Sequence, residues 1–239
     1  MLIAIPSKGR PNNCKSYDLL KGNCTLFVPE SEYHQYIINY KNVVSVPLNI
    51  VGITSTRNWI LKNTNERWVV MLDDDIKYAG YNLLQKRTTK KIDITDPQIW
   101  INEFKKLFSI TEQFNYKIWG VRTESSPMGT YPYKPFLFKS YVTASCMGII
   151  NDGSYLFDET FKVKEDYEIC LRHIVNLGGI ICARYLFWEN SHWVDEGGCK
   201  DYRTQDIEKE CILKLKNLYP NIISSVTKKN NKFTITLNL

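Results

Sequence analysis

Short apolar runs alternate with amphipathic stretches along the chain, which is the pattern of an α/β protein. Apolar runs predict strands at residues 2–5, 24–28, 43–46 and 68–72. The last run is apolar throughout, as expected for a strand that is buried on both faces. Helical periodicity predicts helices at residues 30–40, 52–63, 96–115, 164–172 and 207–218. This alternation predicts a central sheet flanked by helices.

The pattern becomes less regular after the run at 68–72. Apolar or alternating runs predict further strands at residues 118–121, 179–187 and 225–239, and residues 144–151 are apolar around a central Gly148. Residues 78–94 are polar and basic, which predicts a solvated loop. Residues 125–135 are rich in Pro, Gly and Tyr, so we expect an irregular segment there that walls a pocket.

Composition changes this picture little. A chain of 239 residues suffices for one domain with a sizeable core, and no repeat or linker divides it, so we expect a single domain over residues 1–239. The net charge of +6 permits a polyanionic partner without requiring one. Seven cysteines form no CxxC pair, which predicts reduced thiols in a cytoplasmic protein. Neither a signal peptide nor a membrane span is predicted.

The segment 68–76, WVVMLDDDI, carries the largest group of adjacent candidate functional residues, because three carboxylates follow a predicted buried strand. Asp73, Asp74 and Asp75 would repel one another unless a cation sits among them. In open α/β sheets, ligands bind beyond the carboxyl ends of the strands. Hard oxygen ligands there suit Mg²⁺ or Mn²⁺, which in turn suit a phosphate-bearing substrate. The alternative is a solvated acidic turn in which one Asp caps a following helix.

Two further segments of the first half are placed to contact a nucleotide. The loop after the first strand contains Ser7, Lys8 and Arg10, and it offers backbone N–H groups and two cations. A plain strand exit with solvated charges fits this loop nearly as well. Arg57 lies near the start of a predicted helix, where a phosphate is favoured because helix N-termini attract anions. Its alternative is a surface ion pair with Glu66.

The second half contains a candidate base and a candidate metal ligand. Glu165 and Asp166 fall in the first turn of a predicted helix, where a carboxylate near a phosphate can take a proton from an acceptor hydroxyl. The alternative is that both acids only interact with the helix dipole. His192 follows a predicted strand and is the histidine placed to complete a metal site. Lys200 and Arg203 lie beyond a glycine pair, in a segment able to close over a diphosphate.

The order of the motifs is more specific than any one of them. It runs IPSKGRP, GITSTRNWIL, WVVMLDDDI, CMGII, FDE, KEDYEICLR and SHW. In this order the chain resembles the GT-A glycosyltransferases, whose Asp-x-Asp motif lies at a strand end, and its second half is similar to the inverting, family-two-like members. The compact size and the DDDI strand end resemble the TET/JBP-associated glycosyltransferases of phages. The GT-A resemblance covers roughly residues 1–195, and nothing from residue 205 onward matches it.

The resemblance implies a fold and a set of residue roles. The implied fold is GT-A, an α/β fold with a mixed central sheet flanked by helices. A Rossmann-like nucleotide-binding half (1–76) and an acceptor half (77–205) are fused in one domain, and a C-terminal extension (206–239) of one helix and one strand follows. The implied donor contacts are Pro6, Ser7, Lys8, Arg10, Arg57, Asn58, Asp73 and Asp74. The basic segment after the glycine pair adds Lys200 and Arg203 to this set. The implied metal ligands are Asp75, Asp73 and His192. The implied base is Asp166, with Glu165 beside it.

The implied activity is transfer of a sugar from a UDP-sugar, UDP-glucose by default, with Mn²⁺ or Mg²⁺ and inversion at the anomeric carbon. The implied acceptor is 5-hydroxymethylpyrimidine in double-stranded phage DNA, modified in the host cytoplasm. Such a base must be flipped out of the duplex, and Tyr131 or Tyr133 is the aromatic expected to stack on it. The candidate phosphate contacts are Lys86, Arg87, Lys90, Lys91, Lys134 and Lys139.

Three other functions stay open at this point. A protein or cell-surface glycan acceptor would keep the enzyme and change only its acceptor. A metal-dependent nuclease would use the clustered aspartates. It does not explain the helix that carries Arg57 and Asn58, nor the FDE motif at 157–159 and the Glu165–Asp166 pair. A non-catalytic nucleic-acid-binding module would use the charge and the fifteen tyrosines, yet the aromatics are scattered and not interleaved with Arg and Lys.

Overall fold

The computed structural model describes residues 1–85, 88–121, 134–190, 204–229 and 232–238. Eight of its strands form the main sheet: β1 (Leu2–Pro6), β2 (Thr25–Pro29), β3 (Val43–Val46), β4 (Trp68–Leu72), β7 (Ile118–Val121), β8 (Phe136–Leu137), β9 (Cys146–Ile150) and β10 (Ile181–Ala183). Their order is β3-β2-β1-β4-β9-β7-β10-β8. Strands β1 to β4 run parallel, β9 is antiparallel to both β4 and β7, β10 is parallel to β7, and β8 is antiparallel to β10. The sheet is therefore mixed, as predicted.

The remaining strands form two smaller sheets. One has the order β11-β5-β6 and contains β5 (Ile76–Gln85), β6 (Thr88–Asp93) and β11 (Leu186–Asn190). The other pairs β12 (Ile223–Lys229) with β13 (Lys232–Leu237). The helices are α1 (Lys15–Leu19), α2 (Tyr33–Tyr36), α3 (Ile53–Lys62), α4 (Pro97–Gln113), α5 (Glu165–Leu177) and α6 (Gln205–Leu218), and a 3₁₀ turn (Glu30–Glu32) precedes α2.

The alternation along β4 divides the core into two layers. Val70 and Leu72 pack on the face that carries Phe104 and its neighbours on α4. Val69 and Met71 pack on the opposite face, where α3 and α5 contribute apolar side chains. This strand is buried on both faces, as its sequence predicted, because helices cover the main sheet on both sides.

One glycine in the sheet has a packing reason. Gly148 on β9 lies opposite Trp119 on β7, and a Cβ at Gly148 would come within 1.9 Å of the Trp119 indole. The indole fills that space and packs against Phe104, with 5.4 Å between the ring centroids. The missing side chain on one strand is therefore replaced by an aromatic ring from its neighbour.

Three sequence expectations were wrong in detail. The segment 78–94, expected as a solvated loop, supplies most of the paired strands β5 and β6. The run 179–187, expected as one strand, divides between β10 and β11, which belong to different sheets. The helix expected at 30–40 is shortened to the 3₁₀ turn and α2. By contrast, α4 begins as predicted, since the Asp96 side chain accepts a hydrogen bond from Gln98 N at 2.9 Å and Pro97 is its first residue.

Cysteine burial agrees with the expectation of unpaired thiols. Every cysteine that the structure describes is free and buried, and Cys199 lies outside the described residues. None of the described helices combines the length and apolar character that a membrane crossing requires.

His173 on α5 gives the fold a specific sensitivity to acid. Its ring is fully buried and packs against Tyr155, and its Nδ1 donates a hydrogen bond to the Ile169 carbonyl at 2.7 Å. Burial lowers the pKa of His173 from 6.5 to about 4. Between these values the unfolded chain binds a proton that the folded protein does not, so stability falls as the pH falls through this window.

We expect His173→Leu to flatten the acid dependence of folding. From pH 6 to pH 5 the wild type should lose about 1.2 kcal/mol more of its free energy of unfolding than the variant, because the unfolded chain binds most of one proton that the folded protein does not. Urea unfolding at both pH values measures this difference. His34→Leu removes an exposed histidine and serves as the control. Parallel pH dependences of the wild type and His173→Leu would contradict the prediction.

Candidate active site

The three aspartates lie where β1 and β4 end side by side. These strands are parallel neighbours, so the loop after β1 and the acidic turn after β4 share one edge of the sheet. The Asp74 carboxylate is buried and accepts a hydrogen bond from Ser7 Oγ at 2.5 Å, while its other oxygen is ion-paired with Arg10. The Tyr36 hydroxyl contacts Ser7 Oγ at 2.9 Å and accepts from Arg10 N at 2.9 Å. Asp74 thus fixes the β1 loop.

The backbone of the acidic turn is held by one residue of α1. Ser16 Oγ donates to the Asp73 carbonyl at 2.5 Å and accepts from Ile76 N at 3.1 Å. Ser16 N also donates to the Asp74 carbonyl at 3.3 Å. These bonds replace the strand pairing that stops at Leu72, so the positions of the three carboxylates are set by the fold.

Asp73 faces the second half of the protein. Its Oδ1 accepts from Arg57 Nη2 at 3.2 Å, and Arg57 Nη1 is ion-paired with Glu165. The Arg57 side chain is only 5% exposed, whereas that of Asp73 is 32% exposed, so a carboxylate oxygen of Asp73 remains accessible. The sequence alternative for Arg57 was wrong, because Glu66 pairs with the N-terminal amine.

Glu165 and Asp166 begin α5, and both are held in place. Asp166 accepts hydrogen bonds from Ala144 N at 3.3 Å and from Tyr167 N at 2.9 Å. The residue after Ala144 is Ser145, and its backbone carbonyl accepts a hydrogen bond from Asp73 N at 3.1 Å. One short segment before β9 therefore contacts both the acidic turn and the first turn of α5.

Burial dominates the electrostatics of these acids. It raises the pKa of Asp74 to about 6, although Arg10 and Ser7 favour the ionised carboxylate. Burial also raises the pKa of Glu165 against the effect of Arg57, and that of Asp166 against the effect of Lys164. Carboxyls of this kind titrate closer to neutral pH than exposed ones, which suits proton transfer.

The other predicted donor contacts have different surroundings. Pro6 ends β1, and Lys8 is exposed in the following loop. Asn58 Oδ1 accepts a hydrogen bond from Phe157 N at 2.8 Å, and Asn58 Nδ2 donates to the Phe157 carbonyl at 2.9 Å. Asn58 Nδ2 also donates to Glu159 Oε1 at 2.8 Å. The structure thus assigns Asn58 to the loop before α5, and its contact with a nucleotide stays a prediction.

Of the three predicted metal ligands, Asp73 and Asp75 lie on the acidic turn after β4. Asp75 lies beside Arg10, with 3.9 Å between Oδ2 and Nη1. Among the residues that the structure describes, no three His, Cys, Asp or Glu side chains already form a metal-binding group. His192, Lys200 and Arg203 fall outside the described residues, as do Lys86, Arg87, Tyr131 and Tyr133.

Sequence reasoning overlooked three residues of this site. Ser16 and Tyr36 are ordinary helix residues in the sequence, and their contacts reach Asp73 and Ser7 from 57 and 29 residues away. Lys164 was visible beside Glu165, but nothing marked its left-handed backbone, with φ of 66°. No local pattern carries such long-range contacts, so only the fold identifies these residues.

The model of the TET-Associated Glycosyltransferase family matches residues 1–197. No curated protein sequence matches significantly.

Two solved structures illustrate the likeness in fold. TarS 1–349 from S. aureus, in complex with UDP, is 12% identical with a TM-score of 0.50, and the match covers 91% of this chain and 66% of TarS. The chain therefore spans just under two thirds of that structure. Glucosyl-3-phosphoglycerate synthase from Mycobacterium tuberculosis, in complex with Mn²⁺, UDP-glucose and phosphoglyceric acid, is 11% identical with a TM-score of 0.52, covering 98% and 85% of the two chains. At such identities the likeness concerns the fold, and the GT-A prediction is confirmed.

Arg57 should contribute much more to stability than an exposed arginine. Arg57→Met would leave Glu165 buried without its ion-pair partner, so the free energy of unfolding should fall by about 3–5 kcal/mol. Arg67→Met is the matched control, because Arg67 is 60% exposed where it pairs with Glu112, and its loss should be at most about 1 kcal/mol. Urea unfolding at pH 7 measures both losses.

A double variant tests the physical reason. Adding Glu165→Gln to Arg57→Met should recover part of the lost stability, because no buried charge is then left unpaired. Equal losses for Arg57→Met and Arg67→Met would contradict this account of the site.

Proposed function

This chain belongs to the TET-associated glycosyltransferase family, and we propose from this membership and its site that it moves a sugar from a UDP-sugar to a hydroxyl acceptor. The observation that carries the proposal is the acidic cluster at the carboxyl ends of β1 and β4. Four carboxyls, those of Asp73, Asp74, Asp75 and Glu165, are linked there to two guanidinium groups, those of Arg10 and Arg57. When all are ionised, two negative charges are in excess.

That excess suits a divalent cation bound together with a diphosphate. Asp73 and Asp75 offer the hard oxygen ligands that Mn²⁺ and Mg²⁺ prefer, and His192 is the further ligand that we propose. When bound, the cation stabilises the charge that develops on the leaving diphosphate. UDP-glucose is the proposed donor, in keeping with the UDP-glucose and Mn²⁺ bound by the mycobacterial synthase.

The two arginines and the β1 loop form the proposed donor side. Arg57 is fixed by Glu165, so it presents a cation beside Asp73 without having to order a free side chain. Ser7 is fixed by Asp74 and Tyr36, which orders the loop that we assign to the base and ribose. Preorganisation of this kind lowers the entropy lost on binding.

Asp166 is the proposed base on the acceptor side. Two backbone N–H groups orient its carboxylate, and burial brings its pKa closer to neutral pH. In this position it takes the proton from the acceptor hydroxyl while that oxygen bonds to the anomeric carbon from the face opposite the diphosphate. The sugar–phosphate bond breaks, UDP leaves, and the anomeric configuration is inverted. Glu165 has another role, because its carboxylate is occupied by Arg57.

The proposed acceptor is a 5-hydroxymethylpyrimidine in duplex DNA. Strand β5 starts directly after the acidic turn, and its ten residues span about 30 Å, which gives a duplex an extended surface beside the site. Lys91 on β6 is 3.7 Å from Glu189 in an exposed ion pair that a phosphate can replace. Lys134 and Lys139 are exposed on either side of β8. The net charge of +6 favours the same partner.

Removal of the Asp75 carboxylate tests whether this residue is a ligand of the proposed divalent cation. Asp75→Ala should weaken Mn²⁺-dependent UDP binding by about 100-fold or more, since the diphosphate loses its bridging cation. Calorimetric titration of UDP with Mn²⁺, and again with EDTA, measures this dependence. Asp93→Ala, which removes an exposed carboxylate on β6, is the control. Full Mn²⁺-dependent binding and turnover in Asp75→Ala would refute the assignment.

The acceptor is tested with labelled UDP-glucose and matched duplexes containing cytosine, 5-hydroxymethylcytosine or 5-hydroxymethyluracil. Label should appear only in the hydroxymethylated duplexes, because cytosine has no hydroxymethyl oxygen to accept the sugar. Duplex binding should weaken steeply between 50 and 200 mM salt, by roughly tenfold or more if several phosphates are neutralised.

Other results identify the alternatives. Release of UDP without labelling of any duplex, across a panel of UDP-sugars, would replace DNA by a protein or glycan acceptor. Shortened duplexes produced without any UDP-sugar would point to a metal-dependent nuclease.

A further inference from the structure

The C-terminal segment lies beyond the family match, yet it packs on the proposed acceptor side. The match ends at residue 197, whereas α6 and the hairpin β12–β13 follow residue 204. A third core cluster joins them to the segment that leads into α5 and to α5 itself. Its buried members are Phe161, Val163, Tyr167, Leu171, Cys211, Ile212, Leu215, Ile223 and Ile235. The C-terminal segment is therefore an integral support of the residues around Glu165 and Asp166.

Lys164 is the most unusual residue of this contact. It immediately precedes the first turn of α5 and adopts the left-handed conformation, with φ of 66° and ψ of 18°. A residue with a side chain adopts that conformation only at an energetic cost. Lys164 also places a cation at a helix N-terminus, where the helix dipole disfavours positive charge. The surrounding contacts must offset both costs.

The partner that offsets them comes from α6. Lys164 Nζ is 3.2 Å from Glu208 Oε2, and the two side chains are only 10% and 9% exposed. The same Nζ lies 4.9 Å from the centre of the Tyr167 ring. A buried cation needs such a counter-charge, so the position of Lys164 depends on α6.

Lys214 and Tyr219 also connect the C-terminal segment to the residues that lead into α5 and to α5 itself. Lys214 contacts Thr160 and lies over the Phe161 ring at 4.2 Å. The Tyr219 hydroxyl, just beyond α6, donates to Glu168 Oε1 at 3.2 Å. From the opposite side, Thr54 Oγ1 on α3 donates to the Phe161 carbonyl at 2.9 Å. The residues that lead into Asp166 are thus held between α3 and α6.

We propose that Lys164 and Glu208 are positioning residues, through which the C-terminal segment fixes the Asp166 carboxylate and keeps a cation beside it. This inference rests on the proposed function, because it assumes that Asp166 is the base. The charged and titratable groups around Asp166 are Lys164, Glu165, Tyr167, Cys170 and Arg57, and Glu208 is ion-paired with Lys164. Among these groups, Lys164 is the principal cation that favours the ionised Asp166.

The first variant separates charge from backbone conformation. Lys164→Gly keeps the left-handed conformation, which glycine adopts readily, and removes the cation. We expect kcat to fall about tenfold or more and the acid limb of its pH profile to move up by about one pH unit, because Asp166 loses a neighbouring positive charge. UDP affinity should stay at the wild-type value. Lys164→Arg should restore the pH profile.

The second variant removes the partner on α6. Glu208→Gln should lower kcat by a similar factor and leave UDP affinity unchanged, because Lys164 no longer has its counter-charge. Glu210→Gln and Lys209→Met change exposed residues of the same helix and serve as matched controls. Thermal unfolding of every variant shows whether it is folded. If Glu208→Gln fails to fold, the Lys164→Gly and Lys164→Arg pair decides the matter.

Asp166→Asn separates failure of this inference from failure of the proposed function. If Asp166→Asn keeps wild-type kcat for UDP release with acceptor, Asp166 is not the base and the proposed function fails at that residue. If Asp166→Asn is inactive while Lys164→Gly retains wild-type kcat and an unshifted acid limb, the positioning role alone is overturned. Reduced UDP affinity in Lys164→Gly, in step with kcat, would also overturn it, because a general loss of structure would then explain the result.

Discussion

The site depends on how buried carboxyls are neutralised at one edge of the main sheet. Arg57 is nearly fully buried and lies between Asp73 on the turn after β4 and Glu165 at the start of α5. A buried acid without a cation is costly, so this arginine makes the close approach of the two segments possible. The donor and acceptor sides of the proposed site are joined by this one guanidinium group.

Neighbouring aspartates of the acidic turn contact different parts of the protein. Asp74 binds Ser7 and Arg10 and so orders the loop after β1, whereas Asp73 faces Arg57. Since these contacts lie on different sides, adjacent residues in a tight turn serve different halves of the protein. The sequence DDD shows the carboxylates but not this division, because it depends on which element approaches each side chain.

What could be predicted from the sequence was mainly what depends on local pattern. β4 was predicted because an unbroken apolar run indicates burial on both faces, and the start of α4 because Asp96 and Pro97 are local signals. The paired strands β5 and β6 were missed, since a polar, lysine-rich stretch has no apolar run to reveal its pairing. Likewise, the division of 179–187 depends on Tyr185, whose carbonyl accepts from Asn82 N at 2.7 Å, a contact between residues distant in sequence.

The antiparallel direction of β9 has a mechanical consequence. Because β9 runs opposite to β4, its entrance lies at the edge where the parallel strands end. The dipeptide before it, Ala144 and Ser145, consequently touches Asp166 through one residue and Asp73 through the next. One dipeptide therefore hydrogen-bonds to both, so the spacing between the acidic turn and the Asp166 carboxylate is set by two residues of backbone. The direction of one strand thereby sets how far apart the two halves of the proposed site lie.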